Sequence, residues 1–176
     1  KNYKYISKDL SARIHDEIVA LEKSTGKRFG DPDNPLLLSV RSGATVSLPG
    51  MMSSFLNVGI NEEIAEGLSK SAGYEWAAWD CYRRFIQAWG MFQGLKRDIF
   101  DNIMDSFKKQ YDISRKVHFA PGQMKEIALT YKRAIEEQGI EIPDDPPLQI
   151  QDVILRVFAS WYSDQAKTYR RHMHLS

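Results

Sequence analysis

Leu36-Leu37-Leu38-Ser39-Val40-Arg41-Ser42-Gly43-Ala44, followed at once by Thr45-Val46-Ser47-Leu48-Pro49-Gly50-Met51-Met52, is the stretch on which the fold turns. Leu36 to Val40 is strand-like and does not alternate, so it predicts a strand buried on both faces or nearly so. Beyond it, Ser, Gly, Thr and Pro give the backbone little reason to form helix. The strand therefore delivers Arg41 into a loop of small residues. A guanidinium has donors in fixed geometry and a permanent charge, so beside Ser42 and Gly43 it suits a phosphate chain. The same arginine also reads as a structural residue paired with a carboxylate beneath the loop. Met51-Met52 is open in a similar way, since thioethers pack adaptably against flat rings but fill ordinary core equally well.

Outward from this strand the chain is helical. Toward the N-terminus, Ser7 can cap a helix whose apolar positions Leu10, Ile14, Ile18 and Leu21 repeat at helical spacing, with Gly26 as its stop. Phe29-Gly30-Asp31-Pro32-Asp33-Asn34-Pro35 reads as loop. Toward the C-terminus, Phe55 to Ile60 predicts a short second strand. Asn61 then caps a helix running to about Lys70, and Gly73 breaks it. Tyr74–Gly90 is aromatic-rich and amphipathic, with Tyr82, Phe85 and Trp89 forming a core stripe. Leu95–Tyr111 repeats the period, and Pro121 opens another helix that ends at Gly139. The proline-rich stretch Ile142 to Pro147 reads as a linker ahead of a last helical segment containing Leu148, Val153, Val157 and Trp161. These features predict an α+β fold, predominantly α-helical.

Composition narrows the function classes. The 176 residues suffice for one ordinary domain or two small ones. Twenty-four basic residues against 23 acidic ones leave a net charge of +1, so no long-range field draws in nucleic acid or anionic lipid. Neither a nucleic acid nor a membrane is therefore expected as a partner, and no apolar run approaches the roughly 20 residues a membrane helix needs. Cys81 is the only cysteine, which fits an intracellular, reducing compartment, cytoplasm or organelle.

Chemistry-bearing motifs are sparse. The chain has no phosphate-binding Gly-x-x-x-x-Gly-Lys loop, no dinucleotide fingerprint and no His-Glu-x-x-His, so no metal ligands and no complete catalytic set are assigned. His172 and His174 lack a third ligand, while His15 and His118 are isolated. Arg83-Arg84, Lys96-Arg97 and Lys108-Lys109 are interleaved with Asp80, Asp98, Asp101 and Asp105, and they read as solvated helix faces.

Taken together, several motifs carry a family resemblance. Gly26-Lys27-Arg28-Phe29-Gly30-Asp31-Pro32, Asn34-Pro35-Leu36-Leu37, Ser39-Val40-Arg41-Ser42-Gly43-Ala44 and Pro49-Gly50-Met51-Met52 closely resemble the nucleotide-binding N-terminal region of pyruvate, phosphate dikinases. Tyr82-Arg83-Arg84-Phe85-Ile86-Gln87 resembles that family's helical insertion, and Ser160-Trp161, Ala166 and Tyr169-Arg170-Arg171 resemble the helix returning from it. The chain departs from the family pattern at Ser53, at Met91-Phe92 and at His172. Ser-Val-Arg-Ser alone is shared with phosphoenolpyruvate synthase-like dikinases, which remain an alternative, as does a helical docking module.

The resemblance implies a partial ATP-grasp-type subdomain over residues 1–60, a helical insertion over 61–147, and a helix over 148–176 that returns to the nucleotide-binding part. It implies ATP and Mg²⁺ as ligands of a longer enzyme, with none expected on the isolated piece. Its partners would be a phosphohistidine domain and a pyruvate-binding domain of the same polypeptide. The enzyme would pass the β-phosphoryl group of ATP to a carrier histidine and then to pyruvate, giving phosphoenolpyruvate, AMP and pyrophosphate. By position, Arg41, Ser42 and Gly43 would contact the ATP phosphates, and Met51 and Met52 would line the nucleotide pocket. A glycine-rich lysine loop would precede Lys1 and the Mg²⁺-gripping residues would follow Ser176, so the piece alone is expected to be inactive.

Overall fold

A computed structural model describes residues 6–41, 54–162 and 164–172. Within these the fold is α+β and mainly helical. The helices are α1 (Lys8–Thr25), α2 (Glu62–Ser69), α3 (Glu75–Phe92), α4 (Arg97–Gln110), α5 (Pro121–Glu136), α6 (Pro146–Ser160) and α7 (Asp164–His172); β1 (Leu38–Val40) and β2 (Phe55–Val58) form an antiparallel pair.

Local signals set most boundaries. The Ser7 hydroxyl accepts from the Leu10 N–H at 3.2 Å to start α1. Gly26 ends it in the left-handed conformation, at φ 70°. Asn61 Oδ1 accepts from the Ile64 N–H at 2.8 Å to start α2. Pro121 occupies the first turn of α5, where its missing N–H costs nothing, and the Gln123 side chain accepts the Ala120 N–H at 2.8 Å.

The stretch read as a linker is shorter than expected. Pro146 and Pro147 belong to α6, which Asp145 caps by accepting the Leu148 N–H at 3.1 Å. Proline tolerates the first helical turn, so the pair opens this helix instead of separating two units.

Helix α3 is the centre of the molecule, packed against α2, α5 and β2, while α4 lies on α5 and α6 lies against β1 and β2. One apolar cluster runs from Phe55 in β2 to Val157 in α6 and includes Tyr82, Phe85 and Trp89, as their spacing predicts. Trp89 joins distant parts of it. Its indole N–H donates to the Glu141 carbonyl at 2.9 Å, the Phe55 ring meets it edge-on at 6.4 Å, and the Arg156 guanidinium lies 4.1 Å from its ring centroid.

Two elements are less covered than the helices around α3. No residue of α1 is buried, and Leu10 and Leu21 remain 36% and 42% exposed; Phe29, Pro147 and Ile150 border an open cavity with Ile14 and Ile18, and Leu155 and Phe158 border another with Leu10. Strand β1 is not buried on both faces either. Leu36 is buried, Leu37, Leu38 and Val40 are half-buried and Ser39 is exposed, since β2 is its one strand neighbour among the described residues.

A close contact between a loop and a helix fixes how β1 enters the fold. A Cβ built on Gly67 of α2 would overlap the backbone carbonyl of Pro32. Alanine normally favours a helix interior over glycine by up to about 1 kcal/mol. Here Gly67→Ala must instead push the loop off α2, and a net loss of about 2 kcal/mol is expected in urea unfolding. A raised unfolding midpoint would contradict this packing.

Candidate functional site

The segment leading into β1 is held from several sides. Asp31 Oδ1 accepts the N–H groups of Asp33 at 2.8 Å and Asn34 at 3.3 Å, closing a tight turn. The Arg28 N–H donates to Asn34 O at 2.9 Å and the Leu36 N–H to Arg28 O at 2.7 Å, so the loop closes on itself. The Phe29 N–H donates to Glu22 Oε1 at 2.8 Å, tying the loop to α1. Phe29 lies against Gly59, whose φ of 97° and crowded Cβ direction both require glycine.

From this base β1 runs along β2, pairing Leu38 with Val58 and Val40 with Phe55. The register shifts by one residue, and Asn57 takes up the irregularity at φ 59°, a conformation asparagine tolerates. Arg41 is the next residue after the strand, and it is exposed.

Among the described residues Arg41 is paired with no carboxylate. All 23 Asp and Glu residues of the sequence lie among the described ones, and the ion pairs formed there are Asp80 with Arg83, Arg84 and Lys116, and Lys108–Asp105, Lys125–Glu66, Lys132–Glu62 and Lys167–Asp164. Among the described residues, then, no carboxylate fills the place that the structural reading of Arg41 requires. Ser42, Gly43, Met51 and Met52 lie outside the described residues, as does His174.

Metal ligands are not gathered here. Among the described residues no group of three His, Cys, Asp or Glu side chains could hold an ion, and the segment 42–61 after Arg41 contains no carboxylate. His15, His118 and His172 are exposed.

Reading Arg83-Arg84 as a solvated face is half right. Arg84 is exposed, but Arg83 is 6% exposed and turns inward to Asp80, itself 5% exposed. Arg83 Nη2 and Nε both lie 2.8 Å from Asp80 Oδ1, Lys116 Nζ is 2.9 Å from the same oxygen, and Arg84 Nε is 3.1 Å from Oδ2. Arg83 also donates to Gln87 Oε1 at 2.9 Å and sits 5.5 Å from the Tyr131 ring centroid. The i, i+3 spacing of Asp80 and Arg83 was visible in the sequence, but Lys116 arrives from 36 residues away. Cys81 beside this cluster is no activated nucleophile. Burial, then the Asp80 charge, pushes its thiol pKa up.

A further polar residue carried no sequence signal. Gln149 of α6 is fully buried, and its amide bonds to the backbone at both Gly59 and Pro143.

Comparison with known proteins covers nearly the whole chain. The family model described as "Pyruvate phosphate dikinase, AMP/ATP-binding domain" matches residues 3–176. A pyruvate, phosphate dikinase of Rhizobium meliloti (strain 1021) is 40% identical over 167 residues, covering 94% of this chain and 18% of that protein. One from Clostridium symbiosum is 37% identical over 171 residues, covering 96% and 20%. A chloroplastic one from Mesembryanthemum crystallinum is 38% identical over 176 residues, covering 97% and 18%. The chain thus spans about a fifth of the length of these curated relatives. No helix among the described residues is long and apolar enough to cross a membrane.

Proposed function

Since the chain belongs to the pyruvate phosphate dikinase AMP/ATP-binding domain family, we propose that it is one part of the ATP-binding region of such a dikinase, with Arg41 contacting the nucleotide phosphates. The longer enzyme would transfer the β-phosphoryl group of ATP to a carrier histidine on another domain, with AMP leaving as the α–β bond breaks and the γ-phosphoryl group passing to inorganic phosphate as pyrophosphate, and from the histidine on to pyruvate. Residues 1–60 would belong to an ATP-grasp-type nucleotide-binding subdomain, 61–147 would form its helical insertion, and 148–176 would return to it. The supporting observation is Arg41 itself, exposed at a strand end with no carboxylate paired to it.

The chemical task assigned to Arg41 is electrostatic. During phosphoryl transfer, negative charge shifts onto oxygens along the phosphate chain, and a fixed guanidinium stabilises it without moving a proton. The Ser42 and Gly43 amides, with no bulky side chain between them and the ligand, would add backbone donors, and Met51 and Met52 would pack on the base. Mg²⁺ would accompany ATP in this family. The segment 42–61 after Arg41 offers it no carboxylate, so its carboxylates would come from elsewhere in the longer polypeptide.

The experiment uses the full-length protein that carries this chain, incubated with ATP labelled at the β-phosphate and no pyruvate. The expected result is acid-labile label on the protein, together with AMP. A protein that binds no ATP and takes up no label sinks the reading.

A further inference from the structure

The chain leaves the β1–β2 pair at Gly59 to Asn61, runs through α2 to α5, and comes back at Pro143 to Asp145. These two crossings lie side by side. The Asn61 side-chain amide donates to the Asp144 carbonyl at 2.8 Å while its oxygen caps α2. Deeper in, Gln149 Oε1 accepts the Gly59 N–H at 2.6 Å, and its Nε2 donates to Ile60 O and to Pro143 O, both at 2.9 Å. Glutamine suits this place because it is neutral and combines an acceptor with two donors on one planar group. A carboxylate would accept from Gly59 but could not donate to either carbonyl, and an aliphatic side chain would leave three backbone groups without partners.

The clamp is directly continuous with the strand pair. Val58, one residue before Gly59, is fully buried and pairs with Leu38, and Phe55 pairs with Val40. Arg41 follows Val40. From Leu38 to Arg41 the strand advances only about 10 Å, so a shift at the Gly59 corner is carried to the Arg41 backbone with little slack. The corner cannot absorb the shift elsewhere. Phe29 fills the space over Gly59 on one side, while Val58 and Ile60 are both fully buried.

From this geometry we infer that Gln149 is a positioning residue for Arg41. It locks the two crossings of the helical unit to the strand pair and thereby sets where the arginine meets the phosphate chain. The inference rests on the assignment of Arg41 proposed above. Gln149 touches neither nucleotide nor reacting atoms in this role, and it acts only through the strands.

The test is a double-mutant cycle in the full-length protein, reading single-turnover phosphoryl transfer from ATP to the protein at saturating nucleotide. The four proteins are the wild type, Arg41→Ala, Gln149→Met and the double variant. Gln149→Met alone should slow transfer by between tenfold and the hundredfold that a misplacement of about 1 Å can cost. In the double variant the transfer rate should stay within about twofold of Arg41→Ala, because a displaced arginine and an absent one are then equivalent. If Gln149→Met fails to fold, Gln149→Glu enters the same cycle, since it keeps the Gly59 contact and loses the two donated ones. Multiplying effects, or a Gln149 variant with wild-type rates, overturn the positioning role while leaving Arg41 in place. An Arg41→Ala protein with wild-type rates overturns the Arg41 assignment and this inference with it.

Discussion

Asp80→Asn lowers the stability of the folded chain by about 3–5 kcal/mol at neutral pH, the cost of removing one partner from a buried ion pair. The reason lies in what the variant leaves behind. Arg83 is 6% exposed and has Asp80 as its carboxylate, and Lys116 and Arg84 converge on the same group. A neutral amide cannot offset the buried guanidinium, and Gln87 and the Tyr131 ring supply only part of the lost interaction.

The pH dependence distinguishes this from a simple packing defect. Burial by itself would raise the Asp80 pKa, but the charges of Arg83 and Lys116 and their hydrogen bonds outweigh it, holding the carboxyl below its ordinary 3.8. A folded-state pKa below the unfolded one means that the ionised group's contribution is complete above the unfolded value. It is lost as the pH falls through the depressed one. Wild-type stability should therefore drop on acidification through a step that Asp80→Asn lacks, so the two proteins converge at low pH. Urea unfolding at pH 7 and over a descending series of pH values below 3.8 measures both effects. A neutral-pH loss within the roughly 0.5 kcal/mol of an ordinary surface change would contradict the buried cluster.

Arg41→Ala, in the full-length protein, should slow phosphorylation of the carrier histidine by about 10²–10³-fold, the typical loss for one preorganised donor at a developing charge. Stability should hardly change, because Arg41 is exposed and not ion-paired. That combination is the diagnostic one. A structural arginine would lower the unfolding midpoint together with the rate, whereas a phosphate contact lowers the rate alone. Arg41→Lys should recover only part of the loss, since an ammonium keeps the charge but not the planar fork. Rapid-quench transfer kinetics beside urea unfolding make the comparison, and an unchanged transfer rate would falsify the assignment.

Much of the helical frame was readable because its signals are local. Ser7, Asn61 and Pro121 mark helix starts through bonds or missing donors within three residues, and Gly26 marks an end through its own φ. The α6 start is ambiguous in the sequence for a related reason. Prolines near a cap are compatible with both a linker and a first turn, and only the Asp145 cap together with the packing of α6 on the strands decides between them. The burial of β1 was overestimated because an apolar run reports what could be covered, not which neighbours do the covering.

The site divides along the same line. The sequence alone determined that one arginine follows a strand and precedes a run of small residues, and that its surrounding motifs match one family from end to end. It determined too that no carboxylate follows Arg41 before Glu62. Only the tertiary structure decided that Arg41 pairs with none of the 23 acidic side chains, that Arg83 turns inward to Asp80, and that Gln149 joins chain segments 6 and 90 residues away. The physical reason is range. Caps and turns are satisfied by neighbours in sequence, whereas a buried charge or amide is satisfied by whatever the folded chain brings within about 3 Å.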